Sequence, residues 1–125
     1  MKQEATKVLV VEDDPLFTKL VTSMLLAKGF QVLGVASAEA GLDALKSEVF
    51  DVLITDLKME GLGGVGLIRT IMAEQLFPIA RILVITGEPA NSEDSRWVVQ
   101  QSIPVLRKPF SLRALLDAMD ARIQA

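Results

Sequence analysis

Val8-Leu9-Val10-Val11-Glu12-Asp13-Asp14 decides the reading of the fold, because an apolar, β-branched run passes directly into three consecutive acids. A run that stays apolar instead of alternating with polar residues marks a strand buried on both faces of a parallel sheet. Four more short runs rich in β-branched residues follow: Gln31 to Val35, Val52 to Thr55, Ile82 to Thr86 and Val105 to Arg107. All read as strands. The first, third and fourth are almost continuously apolar and are predicted at the centre of the sheet. Pro104 precedes the fifth, and its missing N–H suits an edge.

The intervening segments place apolar residues at helical spacing: Leu16, Leu20, Met24 and Leu25; Ala38, Leu42 and Leu45; Leu67, Ile68 and Ile71; Val98 and Val99; Leu112, Leu115, Leu116 and Met119. Five helices are therefore predicted. Pro15 suits a first helical turn, Gly29 a helix stop, and Ser111 the N-cap of the last helix. The fourth helix, within Ser92 to Gln101, has the fewest apolar anchors. Met24, Met72 and Met119 are read as core, and Trp97 and Phe110 as packing residues without a catalytic role. Regular β-α alternation implies an α/β, doubly wound five-stranded parallel sheet of order 2-1-3-4-5, with helices on both faces. In that topology ligands sit outside the carboxyl ends of the strands, at the switch between strands one and three.

Composition narrows the function. The 125 residues fall in the range of one compact domain, residues 1–125, and half of them are hydrophobic. The net charge of −3 and the absence of any Lys/Arg run argue against direct nucleic-acid or anionic-membrane partners. With no cysteine there is no disulfide, thiolate nucleophile or Cys-based metal site. With no histidine or tyrosine, a phosphoryl group reaching this chain must come from another chain or domain. The apolar runs are too short to span a bilayer, and Met1-Lys2-Gln3-Glu4 has no signal-like apolar stretch behind it, so a soluble, cytoplasmic location is expected.

The predicted topology gathers Glu12, Asp13 and Asp14 after strand one with Asp56 at the end of strand three. One loop carboxylate is ordinarily just solvated, whereas several at adjacent strand ends repel one another, and a fold that tolerates them usually holds a cation. Oxygen-only ligands without His or Cys point to a hard ion. Two carboxylates, a backbone carbonyl and retained waters suit Mg²⁺, which prefers to complete its shell with phosphate. Thr86, ending strand four, and Lys108, following strand five, bring a hydroxyl and an ammonium that can grip phosphoryl oxygens. A carboxylate, already ionised at neutral pH, can attack phosphorus without a general base.

Val10-Val11-Glu12-Asp13-Asp14, Ile54-Thr55-Asp56-Leu57-Lys58-Met59, Ile85-Thr86-Gly87 and Lys108-Pro109-Phe110 together resemble the receiver domains of two-component response regulators, over the whole chain. The resemblance implies a flavodoxin-like receiver fold, with Asp56 as phospho-acceptor and metal ligand. It makes Asp13 a direct Mg²⁺ ligand, Glu12 a ligand mainly through water, and the Lys58 carbonyl the remaining protein donor. Thr86 would bind a phosphoryl oxygen, Lys108 would pair with the phosphate, and the Lys108–Pro109 bond would be cis. The implied donor is a histidine kinase or histidine phosphotransfer domain; the implied output is a changed partner interaction, with a homodimer among the candidates. Such a domain is a signalling switch that assists its own phosphorylation rather than an enzyme. Asp13-Asp14 is an alternative acidic pair, but Glu12-Asp13 follows the strand directly, as in similar sequences.

Two departures stand out. Met59-Glu60-Gly61 lacks the usual proline after the acceptor, which predicts a looser loop. Val105 occupies the place where relatives carry the aromatic switch partner of the threonine. Ile103 to Pro109 resembles receivers fused to sensor kinases more than those of transcription factors. Three other readings fit less well. A pseudo-receiver would have lost the acceptor, acids or lysine. An aspartyl phosphatase would place two Asp residues two apart after strand one. A flavin carrier would need a hydroxyl- and Gly-rich loop where Glu12-Asp13-Asp14 would repel phosphate.

Overall fold

The structure, a computed structural model, describes residues 6–124; Met1 to Glu4, read above for a leader, lie outside the described residues. In chain order the elements are β1 (Lys7–Val11), α1 (Pro15–Ala27), β2 (Gln31–Val35), α2 (Ala38–Ser47), β3 (Val52–Asp56), α3 (Gly63–Glu74), a 3₁₀ turn (Ile79–Arg81), β4 (Ile82–Thr86), α4 (Glu93–Gln100), β5 (Val105–Arg107) and α5 (Leu112–Ile123). The strands form one parallel sheet in the order β2-β1-β3-β4-β5. The predicted strand bounds hold to within one residue, and among the described residues the 3₁₀ turn is the one element not predicted.

Alternation along the central strands divides the core in two, as period-2 geometry requires. Val8, Val10, Val52, Ile54, Leu83 and Ile85 point to the face covered by α1 and α5, where they meet Val21, Leu25, Leu115 and Met119. Leu9, Val11, Leu53, Ile82 and Val84 point to the opposite face, covered by Leu45 of α2, Leu67, Ile68 and Ile71 of α3, and Val98 of α4. Residues of β3 and β4 are buried throughout, whereas those of the edge strands β2 and β5 are only partly covered. That contrast is why the central strands read as continuous apolar runs.

The helix ends follow their signals. Pro15 opens α1, Gly29 takes a left-handed φ of 94° just beyond it, and the Ser111 hydroxyl accepts the Ala114 N–H as the cap of α5. The buried face of α1 differs from the one read in the sequence. Of the expected row Leu25 is buried and Met24 partly buried, but Leu16 and Leu20 are 79% and 55% exposed, and Val21, fully buried, and Phe17, partly buried, take their place against the core. Both sets have helical spacing; they lie on neighbouring rows of one helix, and only tertiary packing selects between them. Met72 and Val99 are exposed for the same reason, against the expectation of core at Met72.

The loop after Asp56 turns on glycines where the proline is missing. Gly61 and Gly63 adopt φ of 79° and 72°, values open to glycine at little cost. Gly64 has its N–H on the Leu57 carbonyl, and a Cβ there would lie 2.1 Å from the Asp56 carbonyl oxygen. The start of α3 thus rests directly against the acceptor's backbone.

Candidate active site

Parallel register brings the candidates together. Val11 pairs with Thr55, so the residues that follow, Glu12 and Asp56, leave the sheet side by side. Asp56 pairs with Ile85, and Thr86 pairs with Arg107, which places Thr86 and Lys108 at the same carboxyl edge. The Lys108 N–H extends the ladder to the Thr86 carbonyl at 2.9 Å, and the Lys108–Pro109 bond is cis.

The Lys108 ammonium donates to Glu12 Oε1 and Asp56 Oδ2, both at 2.9 Å. Glu12 is 2% exposed and Asp56 5%, so this shared cation is what makes two neighbouring carboxylates tolerable at such depth. Burial pushes the Glu12 carboxyl above its usual range, the Lys108 hydrogen bond opposes that, and the charge of Asp56 adds to it. For Lys108, burial works downward, but hydrogen bonds to Asp56 and Glu12 outweigh it and hold the ammonium above its ordinary value. Asp56 Oδ1 is fixed by the N–H groups of Leu57 at 2.6 Å and Lys58 at 3.3 Å. Its other oxygen accepts from the Lys108 ammonium.

The three acids after β1 take separate tasks. Glu12 turns inward to Lys108, Asp14 caps α1 by accepting the Leu16 N–H at 3.1 Å, and exposed Asp13 accepts the Glu60 N–H at 3.2 Å. Asp14 is thus engaged at the helix end, while Glu12 and Asp13 are held by Lys108 and by the loop after Asp56. Asp13, Lys58, Met59 and Glu60 line one open hollow, which adjoins Asp56 through the Lys58 N–H on Asp56 Oδ1. Among the described residues no three acidic side chains stand close enough to hold one ion, since Glu12 and Asp56 close on Lys108 while Asp13 closes on the loop. The donor chemistry nonetheless fits a hard divalent ion: the Asp13 and Glu60 carboxylates line that hollow, and the chain has no His or Cys to offer an imidazole or thiolate.

Around the rim, the buried Thr86 hydroxyl accepts the Glu88 N–H at 3.0 Å, and the Glu88 carboxylate lies 3.6 Å from the Lys58 ammonium. Arg107 donates to the Glu88 carbonyl. Glu88 is thereby held at its N–H, its carbonyl and its side chain. Val105 and Trp97 pack partly buried against the same core layer, and the Trp97 ring lies 4.5 Å from the Arg69 guanidinium. Sequence reasoning missed Arg107 and also Phe17, whose ring centroid lies 4.0 Å from the Lys108 ammonium. Nothing local marks either residue, because each acts on a group brought to it by the fold.

A model of the response regulator receiver domain matches residues 8–120. This chain belongs to that family. It is a receiver domain of two-component signal transduction, with the five-stranded fold of its relatives. It is 38% identical over 116 residues to the response regulator protein FleR of Pseudomonas aeruginosa, covering 90% of this chain but only 24% of that protein. The transcriptional regulatory protein GlrR of Escherichia coli is 30% identical, with 99% of this chain and 28% of that protein covered. The receiver therefore spans about a quarter of the length of these relatives. Among solved structures, the receiver domain of a sensor histidine kinase from P. aeruginosa, with a magnesium ion in its active-site cleft, superposes with a TM-score of 0.86 at 24% identity, over 96% of this chain and 98% of that one. Among the described residues no helix is long and apolar enough to cross a membrane.

Proposed function

We propose that Asp56 accepts a phosphoryl group from a phosphohistidine in a separate histidine kinase or histidine phosphotransfer domain, with Mg²⁺ held by Asp13, Asp56 and the Lys58 carbonyl and, through water, by Glu12. The observation that carries this reading is the division of labour at Asp56: two backbone N–H groups fix Oδ1, while Oδ2 accepts from the Lys108 ammonium. Oδ2 forms the new bond to phosphorus as the bond from phosphorus to the donor imidazole nitrogen breaks, and that nitrogen keeps the electron pair. Lys108 follows the charge from Oδ2 to a phosphoryl oxygen, and the Thr86 hydroxyl donates to another. Bound Mg²⁺ would neutralise charge on the transferring oxygens. Incubation with Mg²⁺ and acetyl phosphate should add one acid-labile phosphoryl group per chain, read by intact mass. No addition with Mg²⁺ present would sink the assignment.

The Lys58–Glu88 pair spans the mouth of this site; with the Lys58 side chain 76% exposed it is worth little for stability, about 0.2–1 kcal/mol. Its role in this reading is to limit water access to the aspartyl phosphate. Lys58→Ala and Glu88→Ala should each speed dephosphorylation by about threefold, equivalent to roughly 0.7 kcal/mol in barrier, with the double variant no faster. Unchanged decay of the phosphorylated protein in all three would remove the pair from the mechanism.

With Val105 in place of a ring, the output runs through the β4–α4 loop. When Thr86 turns to the phosphoryl group, the Glu88 N–H on its hydroxyl is displaced, and the loop carries that shift to α4. This is the shortest helix of the five and holds Trp97 against Arg69. Beryllofluoride with Mg²⁺ should therefore change Trp97 fluorescence, the change vanishing in Asp56→Asn and weakening in Thr86→Ala. A constant signal despite calorimetrically confirmed binding would place the output surface elsewhere. Any fused output domain, downstream partner, homodimer and cytoplasmic setting belong to the same proposal, by analogy with longer relatives.

A further inference from the structure

The Lys108 ammonium has three N–H donors, and the two carboxylates at 2.9 Å account for two of its neighbours. On another side stands neither a carboxylate nor a hydroxyl but the ring of Phe17, its centroid 4.0 Å away. The ring is braced edge-on by Phe110, with centroids 5.9 Å apart and planes at 89°. Phe17 lies in the first turn of α1, fixed by the Asp14 cap, so the ring and Glu12 come from one short, tied-down stretch of chain. Phe110 follows Lys108 by two residues. Both rings are thus attached closely to the groups they serve.

We propose that Phe17 is a positioning residue for Lys108, giving the ammonium a face along which it can move as it passes from Asp56 to the incoming phosphoryl group. The proposal rests on the reading of Lys108 as a phosphoryl ligand. Once Asp56 Oδ2 is bonded to phosphorus, its hold on the ammonium is weakened, and the cation must follow the charge outward. A third carboxylate would pin it, and open water would let it swing out of the site. An aromatic face attracts a cation across a broad area without demanding one direction, and it shields it from solvent meanwhile. The Lys108 side chain is 23% exposed, so such shielding is partial and the attraction is stronger than at an open surface.

The test uses acetyl phosphate rates and the calorimetric affinity for beryllofluoride, both with Mg²⁺. Phe17→Leu and Phe17→Met keep apolar bulk but remove the ring, and each should lower the rate and the affinity about fivefold. Phe17→Tyr, which keeps the ring, should stay within about twofold of wild type while melting no higher than the other variants. In a Lys108→Met background, Phe17→Leu should have no further effect. A full fivefold loss persisting without the lysine, or equal loss in Phe17→Tyr and Phe17→Leu, would overturn the role of the ring. If Lys108→Met itself leaves beryllofluoride affinity untouched, the reading of Lys108 fails first, and that result is separate from either ring outcome.

Discussion

Asp56→Asn should abolish phosphoryl incorporation while leaving the fold in place. The substitution keeps the side-chain shape and an oxygen able to accept the Leu57 and Lys58 N–H groups that now hold Oδ1. It removes the negative charge, and a neutral amide is a far weaker nucleophile toward phosphorus than a carboxylate. Lys108 loses one of its two carboxylate partners but keeps Glu12 at 2.9 Å, so no buried charge is left unpaired. The cost to stability should therefore be about 1 kcal/mol, the scale of one hydrogen bond, and not the larger loss that follows from stranding a buried ion. Intact mass after treatment with acetyl phosphate and Mg²⁺ gives the readout, with a melting curve as the control for folding. If Asp56→Asn gains a phosphoryl group as wild type does, the acceptor lies elsewhere and Asp56 serves only as a counter-ion for Lys108.

The features legible in the sequence are those fixed by local pattern and strand order. Continuous apolar runs marked β1, β3 and β4 as central, and the order of the sheet then dictated that Glu12, Asp56, Thr86 and Lys108 end at one edge. Caps were equally local: Ser111 sits directly before its helix. What the sequence did not disclose depends on rotation and close approach. The apolar rows Leu16–Leu20 and Phe17–Val21 of α1 are indistinguishable until the helix lies on the sheet. Gly64 looks like any loop glycine until the Asp56 carbonyl is found where its Cβ would be. Arg107 reads as the last residue of a strand, and its hold on the Glu88 carbonyl requires the β4–α4 loop to fold back over β5. The weakness of the fourth helix in the sequence was, by contrast, a true property: α4 is short and buries only Ser95 and Val98.

Mg²⁺ should raise the melting temperature, and Asp13→Ala should remove that response. A ligand that binds only the folded state stabilises it by mass action, by about 1.4 kcal/mol at ten times its dissociation constant. For a domain of this size that amounts to roughly 5 °C. Two features of the site shape the effect. Lys108 already neutralises part of the charge on Glu12 and Asp56, so relief of carboxylate repulsion contributes less than three bare acids would suggest. Asp13 must exchange its Glu60 N–H bond for the ion, but that bond is exposed and weak, so the exchange costs little. Asp13→Ala should accordingly change metal-free stability by less than about 1 kcal/mol while abolishing the Mg²⁺ shift. The pH dependence has a definite sign. Because burial raises the Glu12 carboxyl above its unfolded value, its ionised form disfavours the fold at neutral pH, and that penalty is relieved as pH falls through the folded value. Protons and Mg²⁺ then compete for the same carboxylates, so the Mg²⁺ shift should shrink as the pH is lowered into the carboxylate range. Melting curves with and without millimolar Mg²⁺ at neutral and acidic pH provide the check. A wild-type curve unmoved by Mg²⁺ at neutral pH, or an Asp13→Ala curve that moves as far as wild type, would show that the hollow beside Asp56 is not the metal site.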